Sequence, residues 1–215
     1  NPLQHATLLL PHRLVVRTEA ELAGLARDKL CETFLREGGH DMNVEIEASP
    51  AFAFGRIEIT PGGEAKVEAG AMAAMSGDVE IETKATGGLM GGLKRSVLGG
   101  ESFFVNTFRS PGGGHVAVAA KLPGDMRLLP LEGATWLVQS GSWIASDAGV
   151  SVDTKWGGAK TFFGGEGLFL LKCAGEGDVL VSSYGAILEQ DIPAGQSYVI
   201  DTGHVVAFQE GGNRL

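Results

Sequence analysis

The feature that most constrains the fold is a stretch that occurs twice. Residues 79–108, VEIETKATGGLMGGLKRSVLGGESFFVNTF, read as strand, glycine-rich loop and strand, and residues 150–171, VSVDTKWGGAKTFFGGEGLFLL, repeat the outline. Thr83-Lys84 aligns with Thr154-Lys155, and Gly99-Gly100-Glu101 with Gly164-Gly165-Glu166. The offset shrinks from 71 (83 to 154) to 65 (101 to 166), so the second copy has the shorter loop. The likeness extends further: Gly114-His115-Val116-Ala117-Val118 resembles Gly177-Asp178-Val179-Leu180-Val181. Trp136, Gly141 and Ala145 match Tyr198, Gly203 and Ala207, and a fainter partial copy places Gly70 ahead of Gly141 by 71 residues. Residues 44–146 and 147–210 are therefore related units. Each has one apolar face that needs a partner to bury it.

The periodicity says what the units are made of. Val44 and Ile46 alternate with glutamates, as do Ile57 and Ile59, Val79 and Ile81, while Val150 and Val152 alternate with Ser151 and Asp153. Period two with one wet face predicts half-buried antiparallel strands. Phe103-Phe104-Val105, residues 168–171, Val179-Leu180-Val181 and Val205-Val206-Ala207 are apolar on both faces and predict strands covered on both sides. Turn residues separate them, among them Pro61-Gly62-Gly63, Ser76-Gly77-Asp78 and Pro123-Gly124-Asp125. Glycine numbers 33 of 215, about twice its ordinary share of roughly 7%, which suits many short strands joined by tight turns.

Residues 1–41 read differently. Leu14-Val15-Val16 suits a short strand, but Thr18-Glu19-Ala20-Glu21 forms a capping box. Leu22, Ala26, Leu30 and Phe34 follow at helical spacing, and Gly38-Gly39 supply a stop. The expectation is one amphipathic helix over residues 19–37, in an N-terminal extension that precedes a duplicated β body over 42–215.

Candidate chemistry is sparse. The loop carrying Leu89, Met90, Leu93, Lys94 and Arg95 fails the phosphate-loop pattern and lacks the Rossmann spacing. Apolar side chains beside two cations suit contact with a protein partner or a membrane surface. Glu101 and Glu166 hold equivalent places, and with His204 they are the polar groups that a cleft between units or subunits would use. The five histidines show no metal-ligand spacing, and no nucleophile elbow surrounds Ser142. The reading is a chain without catalytic residues, metal or cofactor. A ligand-binding or enzymatic cleft is the alternative. A net charge of −9 argues against nucleic acid, since each phosphate contact wants a cation. Cys31 and Cys173 suit free thiols, no 18-residue apolar run appears, and the expected location is the cytoplasm.

Several motifs fall in one familiar order: Met75-Ser76-Gly77, Thr83-Lys84, Leu93-Lys94-Arg95, Gly100-Glu101-Ser102-Phe103-Phe104, Pro123-Gly124-Asp125 and Gly141-Ser142. Gly165-Glu166-Gly167-Leu168-Phe169, Ser182-Ser183-Tyr184-Gly185 and Asp201-Thr202-Gly203-His204 continue it. Over residues 42–210 the chain resembles the altered-inheritance-of-mitochondria, or mitochondrial biogenesis, family. The resemblance implies an all-β fold of duplicated antiparallel motifs, sandwich or barrel, similar to the trp RNA-binding attenuation protein. It also implies a homotrimer, no established reaction, and a link through mitochondrial relatives to membrane organisation. A self-assembling scaffold or binding module is the expected function.

Overall fold

The computed structural model describes residues 5–9, 12–18, 31–34, 41–84, 97–98, 101–102, 105–153 and 170–210. They form antiparallel β-sheet almost throughout: two six-stranded sheets, one five-stranded sheet and two two-stranded pairs. The alternation in the sequence is the reason. Val44 and Ile46 in Met42–Glu47, and Ile57 and Ile59 in Phe54–Ile59, are buried while Glu58 is exposed. Asp178–Ser182 is buried along its whole length, as a run apolar on both faces requires. Ile81 departs from the pattern and is exposed. Its strand, Glu80–Lys84, is the outermost of a six-stranded sheet, where the edge residue has no neighbour to cover it.

The amphipathic helix over residues 19–37 is not what forms. Cys31–Phe34 is a strand, paired with Met42–Glu47 from Cys31 opposite Glu47 to Phe34 opposite Val44. The capping box and spacing are local signals worth tenths of a kcal/mol per residue. A free sheet edge beside Thr33 and Phe34, both good strand formers, outweighs them. The rest of that segment, residues 19–30 and 35–37, lies outside the described residues. The helical turns among the described residues are two three-residue 3-10 turns, Ser140–Ser142 and Thr202–His204.

The repeat is written into the ladders. Glu64–Glu68 lies between Val105–Arg109 and Trp143–Asp147, and Trp136–Gln139 lies in the same way between Leu170–Gly175 and Val205–Gln209. Registers agree residue for residue: Val67 faces Ala145 where Val138 faces Ala207. Three strands share one bulged ladder. Met72–Met75 pairs with Gly114–Ala119, Trp143–Asp147 with Asp178–Ser182, and Val205–Gln209 with His12–Thr18. Each passes over one residue, Ala73, Ile144 and Val206 respectively. A bulge recurring at one place in three ladders is a designed feature of the repeat.

The first strands of the chain belong to this scheme. Leu170 faces Gln139 and Val181 faces Trp143; His5 faces Asp201 and Val16 faces Val205, at the same offset of 165 (5 to 170, 16 to 181). His5–Leu9 and His12–Thr18 thus stand toward the last strands as Leu170–Gly175 and Asp178–Ser182 stand toward the middle ones. His12–Thr18 sits inside a six-stranded sheet, between Val205–Gln209 and Ala186–Ile192.

Two apolar clusters fill the body. One gathers Ile46, Ile57, Phe108, Met126 and Leu180; the other gathers Trp136, Trp143, Leu171, Val181 and Val206. Trp136 keeps its polar tip satisfied by donating from Nε1 to the Pro130 carbonyl at 3.2 Å. Cys173 lies in the second cluster, and burial pushes its thiol up to about 12. It is therefore protonated and out of reach at pH 8. In a Cys31→Ser variant, a thiol-reactive disulfide reagent should leave the native protein unlabelled for hours and titrate one thiol at once in urea. Because the folded value is raised, stability should fall as pH climbs from about 9 toward 12. Rapid labelling of the native protein at pH 8 would contradict the burial.

Candidate functional site

The sequence singled out two sets of side chains. Leu89, Met90, Leu93, Lys94 and Arg95 lie outside the described residues, as does Glu166. Glu101 begins a two-residue strand that pairs with Val97–Leu98, Glu101 facing Leu98. His204 ends the turn Thr202–His204, half-exposed, with Nδ1 3.9 Å from Asp201 Oδ1. That oxygen accepts from the Gly203 backbone N–H at 2.9 Å, so Asp201 caps the turn. The repeat-equivalent turn, Ser140–Ser142, has no such cap and is tied through side chains instead: Ser142 Oγ donates to Gln139 Oε1 at 3.2 Å. His204 belongs to a turn that the fold makes twice.

The buried polar side chains, which sequence reasoning missed, clasp strands together. Asp125 is buried at the start of Met126–Pro130. Its Oδ1 accepts from Ser49 Oγ at 2.6 Å and from the Met126 N–H at 2.9 Å; its Oδ2 accepts from the Ile187 N–H at 3.3 Å. Arg127 brings a guanidinium nitrogen to 3.4 Å of the same carboxylate. One side chain thus joins the 49 loop, Met126–Pro130 and Ala186–Ile192. Asp147 does the same elsewhere, accepting from the Met42 N–H at 3.1 Å and from the Asp178 N–H at 2.7 Å. Ser76 is its counterpart one repeat earlier, its Oγ accepting from the His115 N–H at 3.2 Å. Lys66 donates to the carbonyls of Ala148 and Val150 at 2.8 and 2.6 Å, and burial holds its ammonium below the usual range. In a low-dielectric interior such bonds fix register more than they invite chemistry. Among the described residues no cluster of three His, Cys, Asp or Glu side chains could hold a metal ion.

The surface offers a different kind of feature. Phe52, Leu122 and Tyr184 are exposed at 71%, 59% and 48%. The loops that carry them are stitched together by backbone bonds: Ala53 N–H donates to the Gly124 carbonyl at 2.8 Å, and Gly124 bridges Gly185. Each loop leads into a strand of the repeat, Phe54–Ile59, Met126–Pro130 and Ala186–Ile192. Repetition thus places three large apolar side chains in one neighbourhood. Asymmetry of turn chemistry in the sequence, with Pro50, Pro123 and Gly185 beside them, is the signal that could have found it. No helix among the described residues is long and apolar enough to cross a membrane.

Comparison with known proteins gives a consistent picture. Residues 44–213 match the family model described as Mitochondrial biogenesis AIM24. An uncharacterized protein of Streptococcus pyogenes serotype M6 is 30% identical over 175 residues, covering 78% of this chain and 70% of its own length. The chain is also similar to the crystal structure of another Streptococcus pyogenes protein, at 28% identity and a TM-score of 0.52. That match takes in 67% of this chain and 65% of the solved one, just under two thirds of its length.

Proposed function

The chain belongs to the mitochondrial biogenesis AIM24 family, and from that premise we propose that it is a non-catalytic, self-assembling β scaffold, a trimer, that docks on a membrane surface. The observation that carries the reading is the contrast between its interior and its surface. Polar side chains inside the body, the buried Asp125 and Asp147 and the half-buried Lys66 foremost, are engaged with backbone groups of neighbouring strands. Large apolar and aromatic side chains, Phe52, Leu122 and Tyr184, stand instead in water. Aromatic and aliphatic loop tips on a rigid β body are what an interfacial anchor requires. The loop with Leu89, Met90, Leu93, Lys94 and Arg95 adds apolar groups and cations of the same use. The net charge of −9 favours zwitterionic over anionic lipid.

The test is flotation with phosphatidylcholine vesicles. Native protein should float, and a Phe52→Ser, Leu122→Ser, Tyr184→Ser triple variant should bind at least tenfold more weakly with an unchanged circular dichroism spectrum. Because all three sites are exposed, the triple change should leave stability nearly as it was. Native protein that stays at the bottom of the gradient refutes membrane docking, and a monomer by light scattering refutes self-assembly.

A further inference from the structure

Among the described residues several strand edges are open, and for two of them the repeat says what they fit. Glu64–Glu68 and Trp136–Gln139 each have two neighbours, while their counterpart Ser197–Asp201 pairs with His5–Leu9 alone among the described residues. Trp143–Asp147 and Val205–Gln209 likewise have two neighbours each, while their counterpart Met72–Met75 pairs with Gly114–Ala119 alone. On the side already paired, both open strands keep the register of their counterparts. Their free sides therefore present the same sequence of N–H and C=O groups that Trp136–Gln139 offers to Val205–Gln209.

From this complementarity we infer that Ser197–Asp201 of one copy of the chain pairs with Met72–Met75 of another. The register follows from the two existing ladders. Ala145 faces Val67 and Ala207 faces Val138, so Ala74 faces Ile200 across the contact. Ser146 faces Lys66 and Phe208 faces Leu137, so Met75 faces Val199. The side chains at this seam are those of an interface. All four residues of Met72–Met75 are exposed, and so are Tyr198 at 42% and Val199 at 56%. At the equivalent places Trp136, Leu137, Trp143 and Ala145 are buried. Met72–Met75 carries neither charge nor proline, and Ser197–Asp201 carries its one charge at its last residue, Asp201, outside the facing pairs; such edges are sites for pairing with another chain.

A second copy is the occupant because the two other ladders of this kind form within the chain, while among the described residues these two edges do not pair with each other. His5–Leu9 and His12–Thr18 already occupy the last repeat, so the ladder missing between these two kinds of strand joins an edge of one kind to an edge of the other. Two unlike edges make a heterologous contact, which propagates head to tail and closes into a ring when the rotation permits. The trimer of the scaffold reading is such a ring. This inference rests on that reading and specifies which strands make the assembly.

Cysteines placed across the seam test it. Facing residues in an antiparallel pair lie about 4.5–5.5 Å apart at Cα, within reach of a disulfide. Met75→Cys and Val199→Cys are made on separate chains, each with Cys31→Ser, mixed and oxidised; a covalent dimer carrying a 75–199 disulfide by mass spectrometry is the expected result. The two changes combined in one chain should give the same intermolecular link. A link closed within one chain would overturn the inference, since the edges would then satisfy each other. In parallel, Met75→Lys with Val199→Lys should weaken assembly at least tenfold by light scattering while leaving the sheet spectrum unchanged. An oligomer that persists in the lysine variant and shows no cross-link refutes this seam but leaves self-assembly standing. A native protein that is monomeric sinks both.

Discussion

Replacing Gly124 by alanine lowers the stability of the fold by about 3 kcal/mol or more, among the largest effects a single methyl group can have. A Cβ built at this position would overlap the Ser183 carbonyl oxygen and lie 2.8 Å from the Gly185 nitrogen. Both are backbone atoms, so no rotamer change relieves the contact. Gly124 sits where the chain crosses closest to itself: it bridges Gly185, its carbonyl accepts from Ala53, and Asp125 beside it exchanges bonds with Gly185 and Ser183. Relief means separating Met126–Pro130 from Ala186–Ile192 at their shared end. Asp125 would then lose its bond from the Ile187 N–H. The urea midpoint should fall by more than about 1 M, at a slope of about 2–3 kcal/mol/M. Gly77→Ala is the control, since nothing lies within 4 Å of its added Cβ. It should shift the midpoint hardly at all. Equal midpoints for the two variants would mean that the chain does not cross as described.

The sequence shows part of this plainly. Alternation located Met42–Glu47, Phe54–Ile59 and Val150–Asp153, and the doubly apolar runs located Asp178–Ser182 and Val205–Gln209. These signals survive because burial on one or both faces acts residue by residue and leaves its mark on composition. Pro123-Gly124-Asp125 was visible as a turn, yet its close approach to Gly185 was not, because turn chemistry says nothing about a partner 61 residues away (124 to 185). The helix over residues 19–37 failed for the opposite reason: local spacing was strong, and Cys31–Phe34 obeyed a sheet edge instead.

The first strands were the hardest to place. His12–Thr18 shares with Asp178–Ser182 little beyond three consecutive apolar residues, Leu14-Val15-Val16 against Val179-Leu180-Val181. What they share fully is a register and a bulge, which are properties of the hydrogen bonds and not of side-chain identity. The open edges were further still from view. An edge is defined by what fails to pair after the other ladders have formed, so Met72–Met75 looks in sequence like any small-residue strand. The polar clasps were hidden because Asp125 and Asp147 look like turn aspartates until the strands that they join are known.

Asp147→Ala should cost about 3 kcal/mol, and Asp147→Ser clearly less; the difference between them tests the repeat at the level of single bonds. Alanine leaves the Met42 and Asp178 N–H groups without this acceptor in a buried place, at about 1–3 kcal/mol for each such group. Serine is what the fold itself uses one repeat earlier: Ser76 Oγ accepts from the His115 N–H, the counterpart of Asp178. The backbone around both is alike, since a Cβ at Gly114 would meet Ser76 and one at Gly177 would meet Asp147. A serine at 147 should therefore recover the bond from Asp178 and lose the one from Met42, whose strand has no counterpart at Ser76. Urea unfolding of the two variants beside the native protein measures this directly. A serine variant no more stable than the alanine one would show that the two clasps only look alike, and the case for equivalent edges at Met72–Met75 and Ser197–Asp201 would weaken with it, because it depends on the same correspondence.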